Sequence, residues 1–225
     1  MQRHLDDAAA RGELASLLYA SEASIYGRFG HGTASQYVEY ELNPRQAAFH
    51  TPGQDSGRVR LVEGDEALRL LPQVHDRHRR RQPGDIARFP WLWELLVRDA
   101  KWLREGDGPT FFAVHEAEPG NLDGYVIWRV EPRWTGGLPD SLVRVRELIA
   151  LTPQAEGALW RLVLDLDLAG TVQIVNRPLD EPLRWRLADP RQLRTTRVSD
   201  GLWVRLLDLE AALAARLRRR RRAGG

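Results

Sequence analysis

Ser21-Glu-Ala-Ser-Ile-Tyr26-Gly-Arg-Phe-Gly30-His-Gly32 sets a small hydroxyl, a tyrosine and a glycine-rich turn in one short segment. It follows Leu14-Ala-Ser-Leu-Leu-Tyr-Ala20, an apolar run too brief for a helix, which reads as a short buried strand. Ser21 stands behind the strand as a natural N-cap, with Glu22 in the first turn, where the helix dipole favours a carboxylate. Gly27 ends the helix. A strand, cap and short helix of this kind close one side of a site whose other side comes from earlier residues, and here Ser21 lies almost at the N-terminus.

Working outward, residues 3 to 11 have helical character, with Leu5, Ala8 and Ala9 on one side and Gly12 at the expected C-terminus. Gln36 to Leu42 alternates as a strand and Asn43-Pro-Arg turns the chain. Gly57 to Val62 is a second alternating strand, and Asp65 caps a helix whose apolar face is Ala67, Leu68, Leu71 and Val74. A helix over Trp91 to Trp102 carries Trp91, Leu95 and Trp102 toward a sheet. Thr110 to His115 and Gly124 to Val130, split by Pro119-Gly-Asn, read as a β-hairpin. Leu142 to Leu151 is a long strand, and Thr152 caps a helix from Pro153 to Leu164. Thr171 to Val175 is a strand, Leu183 to Leu187 a short helix, Leu202 to Leu207 a strand and Leu209 to Leu217 a closing helix. That order is α+β, a mixed sheet flanked by helices.

Composition excludes several functions. The chain of 225 residues has no cysteine, hence no disulfide framework, thiolate nucleophile or cysteine-type zinc site. Met1-Gln-Arg-His-Leu-Asp-Asp lacks an apolar core of the secretory kind, and no apolar run nears the roughly 18 residues of a membrane span. A cytoplasmic protein with no membrane partner is expected. Arg216 and Arg218 to Arg222 supply six positive charges of a net +2, which leaves the rest at −4. The high pI is therefore the work of a solvated tail, and no basic stripe interleaved with aromatics marks a nucleic-acid partner.

Ser21-Glu22, Ile25-Tyr26-Gly27-Arg28-Phe29-Gly30 and Gly32, followed by Arg144-Val-Arg-Glu-Leu148, Pro182-Leu-Arg-Trp185 and Asp200-Gly-Leu-Trp203, resemble the GNAT acetyltransferase superfamily. More narrowly, the chain is similar to the enhanced-intracellular-survival (Eis-like) N-acetyltransferases. The resemblance spans nearly the whole chain. It implies residues 1–36 as the C-terminal portion of an acetyl-CoA-binding GNAT domain, 37–217 as a second, degenerate GNAT-like domain, and 218–225 as a disordered basic tail. It further implies acetyl-CoA as cosubstrate, no metal, an aminoglycoside-like polyamine or protein lysine as acceptor, and a homo-oligomer, hexameric in the family. By the same resemblance Tyr26 is the catalytic acid toward the coenzyme A thiolate and Ser21 contacts the acetyl-CoA arm. A positioned proton donor contributes about 10²- to 10⁴-fold to such a step. An ordinary phenol is a weaker acid than an ordinary thiol, so hydrogen-bond donation is the alternative role.

Departures from the family matter as much. No Arg/Gln-x-x-Gly-x-Gly/Ala loop, whose N–H groups cradle the pyrophosphate of coenzyme A, precedes residue 3. The sterol-carrier-like domain with its terminal carboxylate is also missing, so the expectation is a fragment with an incomplete cofactor site. The rival expectation is a non-catalytic scaffold or assembly module. Gln154-Ala-Glu-Gly157-Ala-Leu159 sits where the second domain's own cradle would be, but Leu159 and the N–H-less Pro153 make it a non-binding relic. Gly27 to Gly32 has the wrong offsets for a dinucleotide fingerprint, and its glycines serve turns and positive φ. His75 and His78 read as a solvated helix face among arginines. The eight tryptophans read as core, with Trp128 or Trp134 as candidates to line a channel.

Overall fold

The structure, a computed structural model, describes residues 1–51, 56–82, 84–99, 104 and 108–215. Trp102, residues 216–217 of the closing helix and the tail 218–225 lie outside the described residues. The elements in order begin α1 (Gln2–Ala10), β1 (Ala15–Tyr19), α2 (Ala23–Gly27), β2 (Gly32–Thr33), β3 (Gln36–Leu42), β4 (Arg58–Val62), α3 (Gly64–Arg79) and α4 (Pro90–Val97). There follow β5 (Thr110–Glu118), β6 (Asn121–Glu131), β7 (Trp134–Thr135), β8 (Leu138–Pro139), β9 (Ser141–Ala150) and α5 (Pro153–Leu164). The chain closes with β10 (Ala169–Arg177), α6 (Leu183–Arg186), β11 (Arg194–Asp200), β12 (Leu202–Leu206) and a helical stretch over 209–215. Two compact units result, one of Met1–Tyr37 with Val198–Gly225, the other of Val38–Arg197.

In the first unit, α1 stops where Gly12 takes φ +76°, with Gly12 N–H on Ala9 O and Glu13 N–H on Ala8 O. This double closure satisfies carbonyls that the helix end would otherwise leave open. β12 lies between β1 and β2, antiparallel to both, pairing Leu18 with Trp203 and Gly32 with Val204. Asp200-Gly-Leu-Trp203 docks that strand: Leu202 N–H donates to Ser35 Oγ at 2.9 Å and Trp203 Nε1 donates to Asp200. β1 is not buried as expected, because Leu17 and Tyr19 on its outer face are exposed.

The second unit holds a seven-stranded sheet in the order β11-β3-β10-β9-β6-β5-β4, with β9 and β10 parallel around α5. β6 is buried on both faces, as the central strand of a two-sided core must be. Val126 and Trp128 pack with Leu159, Trp160 and Val163 of α5, whereas Tyr125 and Ile127 pack with α3 and α4. Thr152 caps α5 as its sequence foretells, accepting from Ala155 N–H at 3.2 Å. Gly124 lets α5 approach, since a Cβ there would stand 2.8 Å from Leu159 Cδ1 and 3.1 Å from Ala155 Cβ. Gly124→Ala is expected to destabilise this unit by about 1–3 kcal/mol, read as a lower urea midpoint at unchanged slope.

Several local expectations need correcting. Glu63, not Asp65, is the N-cap of α3, and Asp65 sits in its first turn. On α4 the buried residues are Trp93 and Val97, while Trp91 is 62% and Leu95 38% exposed, because the helix turns its other face to the sheet. His75 is not solvated: it is 4% exposed and meets Trp93 edge-on, with ring centroids 5.3 Å apart. β9 is not a plain strand. Ile127 faces Glu147 but Trp128 faces Val145, so Arg146 is an extra residue in the ladder. That bulge shifts the alternation by one, sending Val143 and Val145 to the α5 face and Glu147 to the α3–α4 face.

Candidate active site

Tyr26 rides on α2 with its side chain half-buried, and its hydroxyl lies 3.4 Å from Ser21 Oγ. The two residues singled out from the sequence are therefore brought together. Ser21 does not cap α2, however. Glu22 holds the N-cap with an extended backbone and no side-chain capping bond, which leaves the Ser21 hydroxyl one residue outside the helix and beside the phenol. The chain after α2 folds back on it: Phe29 and His31 N–H both donate to Tyr26 O, at 3.0 and 3.3 Å. Gly30 takes φ +76°, a left-handed conformation that costs glycine least. Its vacant Cβ position is 3.6 Å from Arg205 Cδ, and Arg205 donates to Phe29 O. The glycine turn thus wraps a guanidinium from β12.

His31 completes this cluster and was not legible as part of it. Its imidazole is 4% exposed, stands edge-on to the Tyr26 ring at 6.4 Å and places Nε2 3.2 Å from Ser16 Oγ. Burial first, and the Arg205 charge second, pull it below its ordinary value, so it stays neutral around neutral pH. The flanking glycines are a faint signal for a ring held in a tight turn. Arg205, 176 residues along the chain from Phe29, gives none.

The cradle position of the second unit has another character. Leu159 is fully buried on α5, and Pro153 opens the helix without an N–H. β9 and β10 pair only as far as Val145 and Ile174. Beyond that point Arg177 Nη1 donates to Leu148 O at 2.6 Å and its Nε reaches the buried Glu181 at 2.5 Å. The same guanidinium lies 5.6 Å from the Trp160 ring centroid. The gap between the two strands is thereby filled by protein.

Other candidates fall to ordinary roles. Trp128 is buried and stacked on Phe111 at 5.6 Å, and Trp134 is exposed. Arg88 and Glu147, both partly buried, and the fully buried Tyr125 form a cluster that sequence reading misses, because three separate segments supply it. Among the described residues, no group of three or more metal-type side chains could hold an ion, and no helix is long and apolar enough to cross a membrane.

Residues 84–206 match the acetyltransferase (GNAT) domain family. An uncharacterized N-acetyltransferase of Streptomyces avermitilis is 35% identical over 221 residues, covering 96% of this chain and 53% of that protein. N-acetyltransferase Eis of Mycobacterium tuberculosis is 38% identical over 203 residues, covering 88% of this chain and 48% of that protein. The crystal structure of Eis1 from Mycobacterium abscessus aligns with a TM-score of 0.77 at 34% identity, over 95% of this chain and 52% of that one. The chain spans about half the length of the curated relatives it matches.

Proposed function

Because this chain belongs to the GNAT acetyltransferase family, with Eis-like N-acetyltransferases among its relatives, we propose that it carries the thioester-facing part of an acetyl-CoA-dependent N-acetyltransferase. One observation carries the reading: Tyr26 Oη and Ser21 Oγ stand 3.4 Å apart at the mouth of α2. Acetyl-CoA supplies an activated acyl group and a thiolate leaving group. Tyr26 donates a hydrogen bond, or its proton, to the departing sulfur, and Ser21 contacts the pantetheine arm. The edge-to-face contact with His31 supports one side of the phenol ring. Acceptors are amines of the aminoglycoside-like polyamine or protein-lysine kind, and the protein works in the cytoplasm as a homo-oligomer.

In this reading residues 1–36 end the acetyl-CoA-binding domain, and residues 37–217 include a degenerate copy that binds no coenzyme. The plug of Arg177, Glu181 and Trp160 between β9 and β10 supports that division of labour. The same plug favours the rival reading, a non-catalytic assembly module. Calorimetry with acetyl-CoA, and mass spectrometry of spermidine and of a lysine peptide incubated with both, separate the two. Binding heat and a product heavier by one acetyl group are expected, and the absence of both makes the chain a scaffold. Ser21→Ala is expected to raise KM for acetyl-CoA about 2- to 10-fold, the worth of one hydrogen bond, with kcat held within about two-fold.

A further inference from the structure

A cavity of about 360 Å³ opens in the second unit between α3 and α4, on the opposite sheet face from α5. That size lies within the range of small-molecule sites. Leu68, Pro72, Ala87 and Pro90 give it an apolar wall, and His75 and Trp93 give it an aromatic one. We propose that this cavity binds an uncharged, flat heteroaromatic molecule, whose ring system packs on the apolar wall and whose one polar edge hydrogen-bonds the His75 imidazole.

The charge state of the walls selects a neutral ligand. Every charged group that lines the cavity is already matched: Arg88 grips Glu147, Asp76 accepts from Arg79 at 2.7 Å and Arg80 at 2.8 Å, and Glu94 pairs with Arg98 at 3.1 Å. A charged ligand would share partners that are already paired and would add a net charge to walls on which Arg79 and Arg88 already balance Asp76 and Glu94. His75 is the polar group left over. It is 4% exposed, it lines the cavity, and neither ring nitrogen has a hydrogen-bond partner among the described residues. Burial, and then the nearby Arg88 charge, keep the imidazole neutral, so it offers one donor and one acceptor.

The aromatic wall is also set in advance. The Arg88 guanidinium covers the Trp93 ring at 4.9 Å, while His75 and Tyr125 meet that ring edge-on at 5.3 and 6.4 Å. Side chains held on several sides lose little freedom when a ligand arrives, which favours binding over collapse.

The test uses indazole, which is neutral and carries a donor and an acceptor side by side. It is titrated into the protein while NMR follows the His75 ring and the Trp93 indole, with indazole-3-carboxylate and benzamidinium as charged comparators. Saturable shifts at both residues are expected, with the charged probes at least about ten-fold weaker. Leu68→Trp, which fills the cavity, should abolish the shifts. His75→Phe, which keeps the cavity's shape, should weaken indazole about ten-fold while the Trp93 shift persists, and it decides the matter if Leu68→Trp does not fold. Shifts at neither residue, equal binding of the charged probes, binding undiminished by Leu68→Trp, or unchanged affinity in His75→Phe would each overturn the proposal.

Discussion

Replacing Tyr26 by phenylalanine is expected to lower kcat for acetyl transfer about 10²- to 10⁴-fold, while KM for acetyl-CoA moves no more than about two-fold. As the amine closes on the thioester carbonyl, charge collects first on the carbonyl oxygen and then on the sulfur that departs with the bonding pair. On the proposed reading the Tyr26 hydroxyl acts on that second charge, so it matters in the transition state far more than in the bound ground state. The substitution keeps the ring and with it the edge contact to His31. What it removes from the fold is a single 3.4 Å contact to an exposed serine, which water replaces. Thermal unfolding should therefore match the parent within a degree or so, and a large loss of rate at unchanged stability is chemistry. Equal turnover in the two proteins would take the phenol out of the mechanism.

Arg88→Leu should destabilise the second unit by about 3–5 kcal/mol at neutral pH. Glu147, sent to this face by the Arg146 bulge, receives Arg88 Nη1 at 2.8 Å and the Tyr125 hydroxyl at 2.6 Å. Burial by itself would raise the carboxyl. The Arg88 fork, its charge and the phenol outweigh that and hold Glu147 below the ordinary carboxylate range. A carboxyl with a lower folded than unfolded value stabilises fully above the unfolded value of about 4.3, and its contribution fades as pH falls through the folded one. In the variant the carboxylate keeps its burial and loses its counter-charge, so its folded value rises and the penalty is largest near neutrality. Urea unfolding of both proteins from about pH 8 to about pH 4 should show a gap that narrows toward acid. A gap that stays constant, or that is under about 1 kcal/mol throughout, would mean that the guanidinium does not compensate this charge. Glu147→Leu and Tyr125→Phe combined with Arg88→Leu should recover much of the loss, since a filled apolar cluster needs no partner.

Sequence reading located the regular elements wherever local chemistry determines them. Thr152-Pro153 starts α5 because a hydroxyl cap and a proline at the first turn both favour it, and Pro119-Gly120 closes the β5–β6 hairpin with Gly120 at φ +79°. Arg194-Thr-Thr-Arg-Val-Ser-Asp200 went unread as β11, because an exposed edge strand has no apolar alternation to betray it. The face of α4 was misjudged because tryptophans stand at 91 and 93, and hydrophobicity alone does not say which of them meets the sheet. Ser21 and Tyr26 lie side by side because one short segment holds both. The partners that fix them, His31 through its turn and Arg205 through β12, depend on pairings between distant parts of the chain, and so does the cluster of Arg88, Tyr125 and Glu147. The bulge at Arg146 is one residue of slippage that no local preference announces.

The place of β12 also sets an order of events at the ribosome. Among the described residues β1 and β2 pair only with a strand that begins at Leu202, whereas β4, β5, β6, β9 and β10 find their partners between Gln36 and Arg177. At about 5–20 residues per second, roughly 10 to 35 seconds separate the synthesis of Thr33 from that of Leu202. Within this chain the tyrosine segment therefore gains its sheet partner only after that interval. A premature stop at Leu202 would leave the seven-stranded sheet all its strands and take from β1 and β2 the strand that joins them.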